Sequence, residues 1–292
     1  MLKIEQVYKV FLSEKAKGKI EKIILYVALF SFVIHLGLIY LSHLGILNFS
    51  TEAELFEGPI SAIYTPFSFI LIYEVYLLIY YLPKSFTTYI TKQYEIITLI
   101  IIRKLFKDLS ALELSTNWFE INDDLQFTYD LLASLILFYL IYQFQKQGRR
   151  KFQSKPPNFN IQKFIIRKKL IAVVLVPLFF TLALITLVNW SSEITFATGE
   201  PPSFQSINNL FFDEFFTVLI LVDVVLLLAS FFYTDQFHKI IRNSGFVVST
   251  ILLRLSFGVS GLVSTILIVV AVLFGLLIII IHNQYQKNLS EV

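Results

Sequence analysis

Residues 96–103 read Ile-Ile-Thr-Leu-Ile-Ile-Ile-Arg, and residues 247–254 read Val-Val-Ser-Thr-Ile-Leu-Leu-Arg. Each is an apolar run closed by one arginine. Each lies in a longer segment, about 88–108 and 238–257, that starts amphipathic and becomes apolar at its centre. Whether these two segments cross a membrane or lie on it decides the fold. Composition sets the solvent. The mean hydropathy is +0.72, with 56% hydrophobic and 15% charged residues, as in an integral membrane protein rather than a soluble domain. A net charge of +3 is too small to suggest nucleic acid. The absence of cysteine excludes disulfides, thiolate metal sites and a cysteine nucleophile.

Working outward, six further apolar segments are readable as spans: 22–44, 62–83, 126–145, 169–189, 213–234 and 261–281. Charge settles the doubtful pair. The segment 146–169 holds Lys146, Arg149, Arg150, Lys151, Lys155, Lys163, Arg167, Lys168 and Lys169 and no acid, and the lead-in 1–22 holds six lysines. Both are expected on the cytoplasmic side, so an even number of crossings must separate them. Counting 88–108 as a crossing restores the parity, and the same logic makes 238–257 a crossing joined to the last span by the Phe257–Gly261 turn. The outer loops 45–61, 109–125 and 190–212 then contain no Lys or Arg, and Trp118 and Trp190 fall at that interface.

The expected fold is an all-α polytopic protein of the cell (inner) membrane, with about eight transmembrane helices and both termini cytoplasmic. Residues 1–21 read as an amphipathic surface helix, 22–145 as a first four-helix repeat, 146–168 as a basic linker and 169–292 as a second repeat. Each repeat crosses an even number of times, so the two are expected to run parallel, related by an axis along the membrane normal. The opening residues Met1–Gln6 lack the apolar core and cleavage site of a signal peptide, so the first span is expected to be retained.

The duplication extends to unusual residues. Asn48-Phe49-Ser50-Thr51-Glu52 precedes Gly58-Pro59, and Asn189-Trp190-Ser191-Ser192-Glu193 precedes Gly199 and Pro201. Downstream of each comes an apolar stretch with one acid, Glu74 and then Asp223, followed by the stretch ending in Arg103 or Arg254. A charge at membrane depth costs ~2.5–3.5 kcal/mol or more. Each acid is therefore expected to meet the arginine of its own repeat, Glu74 with Arg103 and Asp223 with Arg254. Such pairs either fix helix order or line an aqueous path. Asn48 and Asn189 are expected to close helices; in the competing reading, Glu52 and Glu193 flank an outer mouth that concentrates cations.

A four-helix unit with an acid in its second helix and a basic helix resembles the voltage-sensor domain of ion and proton channels, although here the arginine stands in the third span rather than the fourth. The resemblance implies a bundle that responds to ions, protons or field. Every third position of the basic helix gives Lys92, Glu95, Thr98, Ile101, Lys104 and Lys107 in one copy. The other copy gives Arg242, Gly245, Val248, Ile251, Arg254 and Phe257. The central rungs carry no charge in either. One charge moved through the full potential is worth ~2.3 kcal/mol per 100 mV, so one arginine per unit implies shallow voltage dependence.

His35, inside the first span, and Asp130, near the start of the fourth, are candidates for proton-linked roles. Tyr64, Tyr73, Tyr76, Tyr80 and Tyr81 crowd the second span and suggest a polar face toward a cavity or partner. No histidine pair has metal-site spacing, and there is no phosphate loop or nucleophile elbow, so neither an enzyme nor a cofactor is expected. Expected partners are the bilayer, anionic lipid at the basic linker, and a second copy or another protein. Two functions stay open. One is ion or small-solute permeation using Glu74, Asp223, Arg103 and Arg254. The other is a non-transporting scaffold or effector subunit that recruits partners through its basic cytoplasmic surfaces.

Overall fold

The computed structural model describes residues 2–46, 59–110, 122–149, 159–196, 204–233, 236–259 and 261–290. Among these residues the chain is all-helical, without a strand. The helices are α1 (Leu2–Phe11), α2 (Glu14–His43), α3 (Tyr64–Tyr81), α4 (Phe86–Ser110), α5 (Asn122–Gly148), α6 (Phe159–Phe196), α7 (Phe204–Phe231), α8 (Phe237–Ser256) and α9 (Leu262–Ser290). A 3-10 turn, Pro59–Ile63, leads into α3.

Among the described residues, three helical stretches are long and apolar enough to cross a membrane: Glu5–His43, Leu125–Gly148 and Leu262–Leu289. Thr65–Tyr81 and Phe215–Phe231 are shorter apolar helices. The long helices display large apolar side chains outward. Tyr26 and Phe30 on α2 are 74% and 69% exposed, and Leu135, Phe138 and Tyr139 on α5 are also exposed. Rows of this size suit lipid rather than water.

Element boundaries differ from the sequence reading in three places. The amphipathic lead-in 1–21 is not one helix. It breaks after Phe11, and Ser13 restarts the chain as the N-cap of α2, its hydroxyl accepting from the Ala16 amide at 3.2 Å. Residues 14–21 are therefore the first turns of the first long helix. The basic linker is likewise shorter than 146–168, because α6 begins at Phe159 and includes Lys163, Arg167 and Lys168. Apolar Phe164, Ile165 and Ile166 interleaved with long basic chains favour a helix whose lysine stems cover apolar surface. Finally, Asn189 does not end its helix; α6 continues to Phe196. No glycine or proline intervenes before Gly199, so nothing obliges the helix to stop at Asn189.

The chain forms two compact units, each drawing on both sequence halves. The first comprises residues 1–80, 106–111 and 171–218; the second comprises 81–105, 112–170 and 219–292. In the first unit three tyrosines of α3 serve the N-terminal helices. Tyr73, Tyr76 and Tyr80 share one helix face. The Tyr73 hydroxyl donates to Glu21 at 3.0 Å, Tyr76 to the Phe11 carbonyl at 2.8 Å, and Tyr80 to Glu14.

In the second unit α9 packs against both α5 and α8. Its core includes Tyr94, Phe144 and Phe246, with Tyr94 edge-on to Phe144 at 4.9 Å and Phe144 5.4 Å from Phe246. Gly275 makes that packing possible. A Cβ there would lie 1.8 Å from the Tyr94 hydroxyl, which instead bonds Ser249 at 2.6 Å. The reversal between α8 and α9 uses Gly261 at φ +73, a conformation that side chains disfavour.

Candidate functional site

Asp223 is the centre of the second unit's polar core. It lies on α7 and is buried. Its Oδ1 accepts from the Tyr89 hydroxyl at 2.9 Å, and its Oδ2 accepts from Arg254 Nη2 at 2.9 Å and from Gln93 Nε2 at 3.3 Å. The same Arg254 nitrogen donates to Gln93 Oε1 at 3.0 Å, so Gln93 bridges the acid and the base. Both charged side chains are only 2% exposed. Tyr89 and Gln93 stand four residues apart on α4, hence on one face. The other terminal nitrogen of Arg254, Nη1, is buried with no hydrogen-bond acceptor among the described residues.

A second buried acid, Asp130 on α5, has a different setting. Its Oδ1 accepts from Thr265 at 2.5 Å and Gln126 at 3.0 Å, and its Oδ2 lies 2.6 Å from Lys104 Nζ. The lysine side chain is 41% exposed whereas the aspartate is 4% exposed. One end of this ion pair therefore reaches the molecular surface.

Lys168, at the start of α6, lies in the same unit and is buried. Its ammonium donates to the Lys84 carbonyl at 2.7 Å and sits 4.8 Å above the Phe86 ring and 5.6 Å from that of Phe164. Burial pushes its pKa down to about 8, against the opposing pull of the Asp223 carboxylate.

Of the residues singled out by sequence, the structure brings Asp223 and Arg254 together. Glu74 is buried on α3, in the first unit, and Arg103 lies on α4, in the second; the Glu74–Arg103 pair stays an expectation. His35 is buried, its Nδ1 2.5 Å from the Thr65 hydroxyl. Asn48 and Glu52 lie outside the described residues, as do the side chains of Asn189 and Glu193.

Sequence reasoning missed Tyr89, Gln93, Lys104 and Thr265. The first two carried a usable signal, an i, i+4 polar pair on a helix otherwise turning apolar. Lys104 stands out in the sequence only as a rung in a charge register. No family model matches this chain, and neither a curated protein nor a solved structure does.

Proposed function

We propose that this chain is a non-transporting, multi-pass subunit of the cell membrane, a scaffold or effector whose buried ion pair fixes helix order and whose basic surfaces engage partners. The observation that carries this reading is the sealed state of Asp223 and Arg254. With both side chains 2% exposed and held by Tyr89 and Gln93, the pair has the character of an internal tie rather than a wetted pathway. Removing either partner would strand a charge, and such ties are retained where they specify one arrangement of helices.

Eight crossings in a four-plus-four plan remain part of the proposal. What supports them is the element order, with α2–α5 before the basic linker and α6–α9 after it. The doubtful α4 and α8 are unbroken helices of 25 and 20 residues. At about 1.5 Å per residue each is long enough for a ~30 Å hydrocarbon core. Reporter fusions after Ser154 and at the C-terminus should report cytoplasm, and fusions near Asp123 and Gly199 the outside. A cytoplasmic Asp123 would return α4 to the membrane surface.

A permeation reading is favoured by one specific observation, the buried Arg254 Nη1 without a protein acceptor. Groups of that kind are commonly satisfied by water or an ion. Reconstitution of the purified chain into liposomes separates the readings. Our proposal expects no ion flux above protein-free liposomes, with or without an imposed potential. Flux that disappears in Asp223→Asn would replace it with the channel or transporter reading.

A further inference from the structure

We propose that Asp130, Thr265 and Gln126 form a binding site for a monovalent metal cation, with the Lys104 ammonium as the tethered counter-ion that such a cation displaces. This inference does not depend on the scaffold reading, because an ion that binds and leaves by the same face crosses nothing. The acid and its base are held very differently. Asp130 is 3% exposed, and its Oδ1 is fully engaged, accepting from the Thr265 hydroxyl at 2.5 Å and from Gln126 Nε2 at 3.0 Å. Its Oδ2 is buried and receives no hydrogen bond among the described residues. Beside that oxygen stands the Lys104 ammonium, 2.6 Å away, near enough to balance the charge but not aligned as a donor.

The lysine thus takes the place of a bound ion rather than of a hydrogen-bond donor, and little keeps it there. Its side chain is 41% exposed, and among the described residues the ion pair is its one polar contact. A strongly hydrated ammonium on a four-carbon stem can swing into water at modest cost. The carboxylate cannot follow it. Left alone at this depth it is an uncompensated charge, so a second cation must take the lysine's place when the lysine leaves.

The groups touching the carboxylate are of the kind a metal ion takes. The Thr265 oxygen can keep donating its proton to Oδ1 while a lone pair serves an ion. Gln126 Nε2 bridges the same two groups, 3.0 Å from Oδ1 and 3.1 Å from Thr265 Oγ1. Turning that amide end for end replaces a donor by its oxygen, so one side chain suits both the lysine-bound and the metal-bound form. One carboxylate with two neutral oxygens balances a single positive charge. Calcium and magnesium sites gather more oxygen ligands and demand stricter geometry. The chain around the pair also favours cations: from Arg103 to Asp130 it carries six Asp or Glu against three Lys or Arg, a surplus that raises the local concentration of positive ions.

The test uses the full-length chain in a neutral maltoside detergent, titrated with sodium chloride or potassium chloride against choline chloride at constant ionic strength. Thermal unfolding reads the stabilisation, and equilibrium binding of radioactive sodium reads the ion directly. Sodium or potassium should raise the unfolding midpoint saturably where choline does not. In Lys104→Gln the same response should appear at about fivefold lower concentration, because a competing charge held by an exposed ion pair is gone. Asp130→Asn should abolish it. Should Asp130→Asn fail to fold, Thr265→Ala decides the matter by weakening the response about tenfold, as for loss of one contact to a charged group. No response to either metal ion in the parent chain and in Lys104→Gln overturns the proposal. So does a response undiminished in a folded Asp130→Asn or in Thr265→Ala, or one that Lys104→Gln leaves at the same concentration.

Discussion

Asp223 and Asp130 lie in the same compact unit, are equally well buried, and each faces a basic side chain, but the resemblance stops at the base. Arg254 is 2% exposed and shares Gln93 with its acid, while Lys104 is 41% exposed and meets Asp130 from the surface. A buried planar guanidinium fixed by two acceptors has one geometry. A flexible ammonium at the surface can be exchanged for water or another cation at modest cost. The first pair is therefore suited to holding helices in register, and the second to responding to what lies outside. Depth of the acid alone would not have separated them.

The sharpest way to break this contrast is to remove one member of the sealed pair. Arg254→Gln or Asp223→Asn should each lower stability in detergent by ~3–5 kcal/mol, because a buried charge is left uncompensated. Thermal unfolding by circular dichroism would measure it; a loss below about 1 kcal/mol would make Asp223 no different from Asp130.

The field of Asp223 offers a second probe through Lys168. The folded-state pKa of this lysine, about 8, lies below its ordinary 10.5. Between those values the unfolded chain keeps a proton that the folded chain has released, so stability should rise with pH across that window. The cost of burying the charge is fully present below about pH 8, and its relief amounts to ~3 kcal/mol at most. Lys168→Met should flatten the pH slope. Asp223→Asn removes the acid that favours the charged lysine, and should move the onset of the rise to lower pH.

Packing around the sealed pair gives a smaller effect. Gly275→Ala would press a methyl group onto the Tyr94 hydroxyl, one residue beyond Gln93. Overpacking of this kind costs ~1–3 kcal/mol. A neutral result would mean that α9 can shift away from α4 freely. At the open pair, Lys104→Gln should cost only ~1 kcal/mol or less, since Asp130 keeps Thr265 and Gln126 and can gain water. A loss as large as that of Arg254→Gln would erase the distinction.

The parts legible in the sequence were those with a cost attached. An acid and an arginine inside apolar runs stand out because lipid penalises them, and that is why Asp223 and Arg254 could be named together. Neutral partners carry no such penalty, so Tyr89 and Gln93, which complete the cage, leave only the weaker signal of an i, i+4 polar pair. The tyrosine face of α3 was visible as a face but not by its partners. Glu14 and Glu21 are spaced like Tyr80 and Tyr73, a match that appears only once α2 and α3 are known to run antiparallel in that contact. Boundaries failed where a local cue was over-read or passed over. Asn189 suggests a stop although glycine and proline come only later, and Ser13 is a helix start hidden inside an amphipathic pattern.

The central claim is that Asp223 and Arg254 act as one structural tie. A double-mutant cycle on thermal stability in detergent tests it most directly, using Asp223→Asn, Arg254→Gln and the two combined. If the tie is real, the double variant should be more stable than the sum of the two losses predicts, with a coupling of ~1–3 kcal/mol. Losses that simply add would show that the two residues do not depend on each other, and would contradict the account.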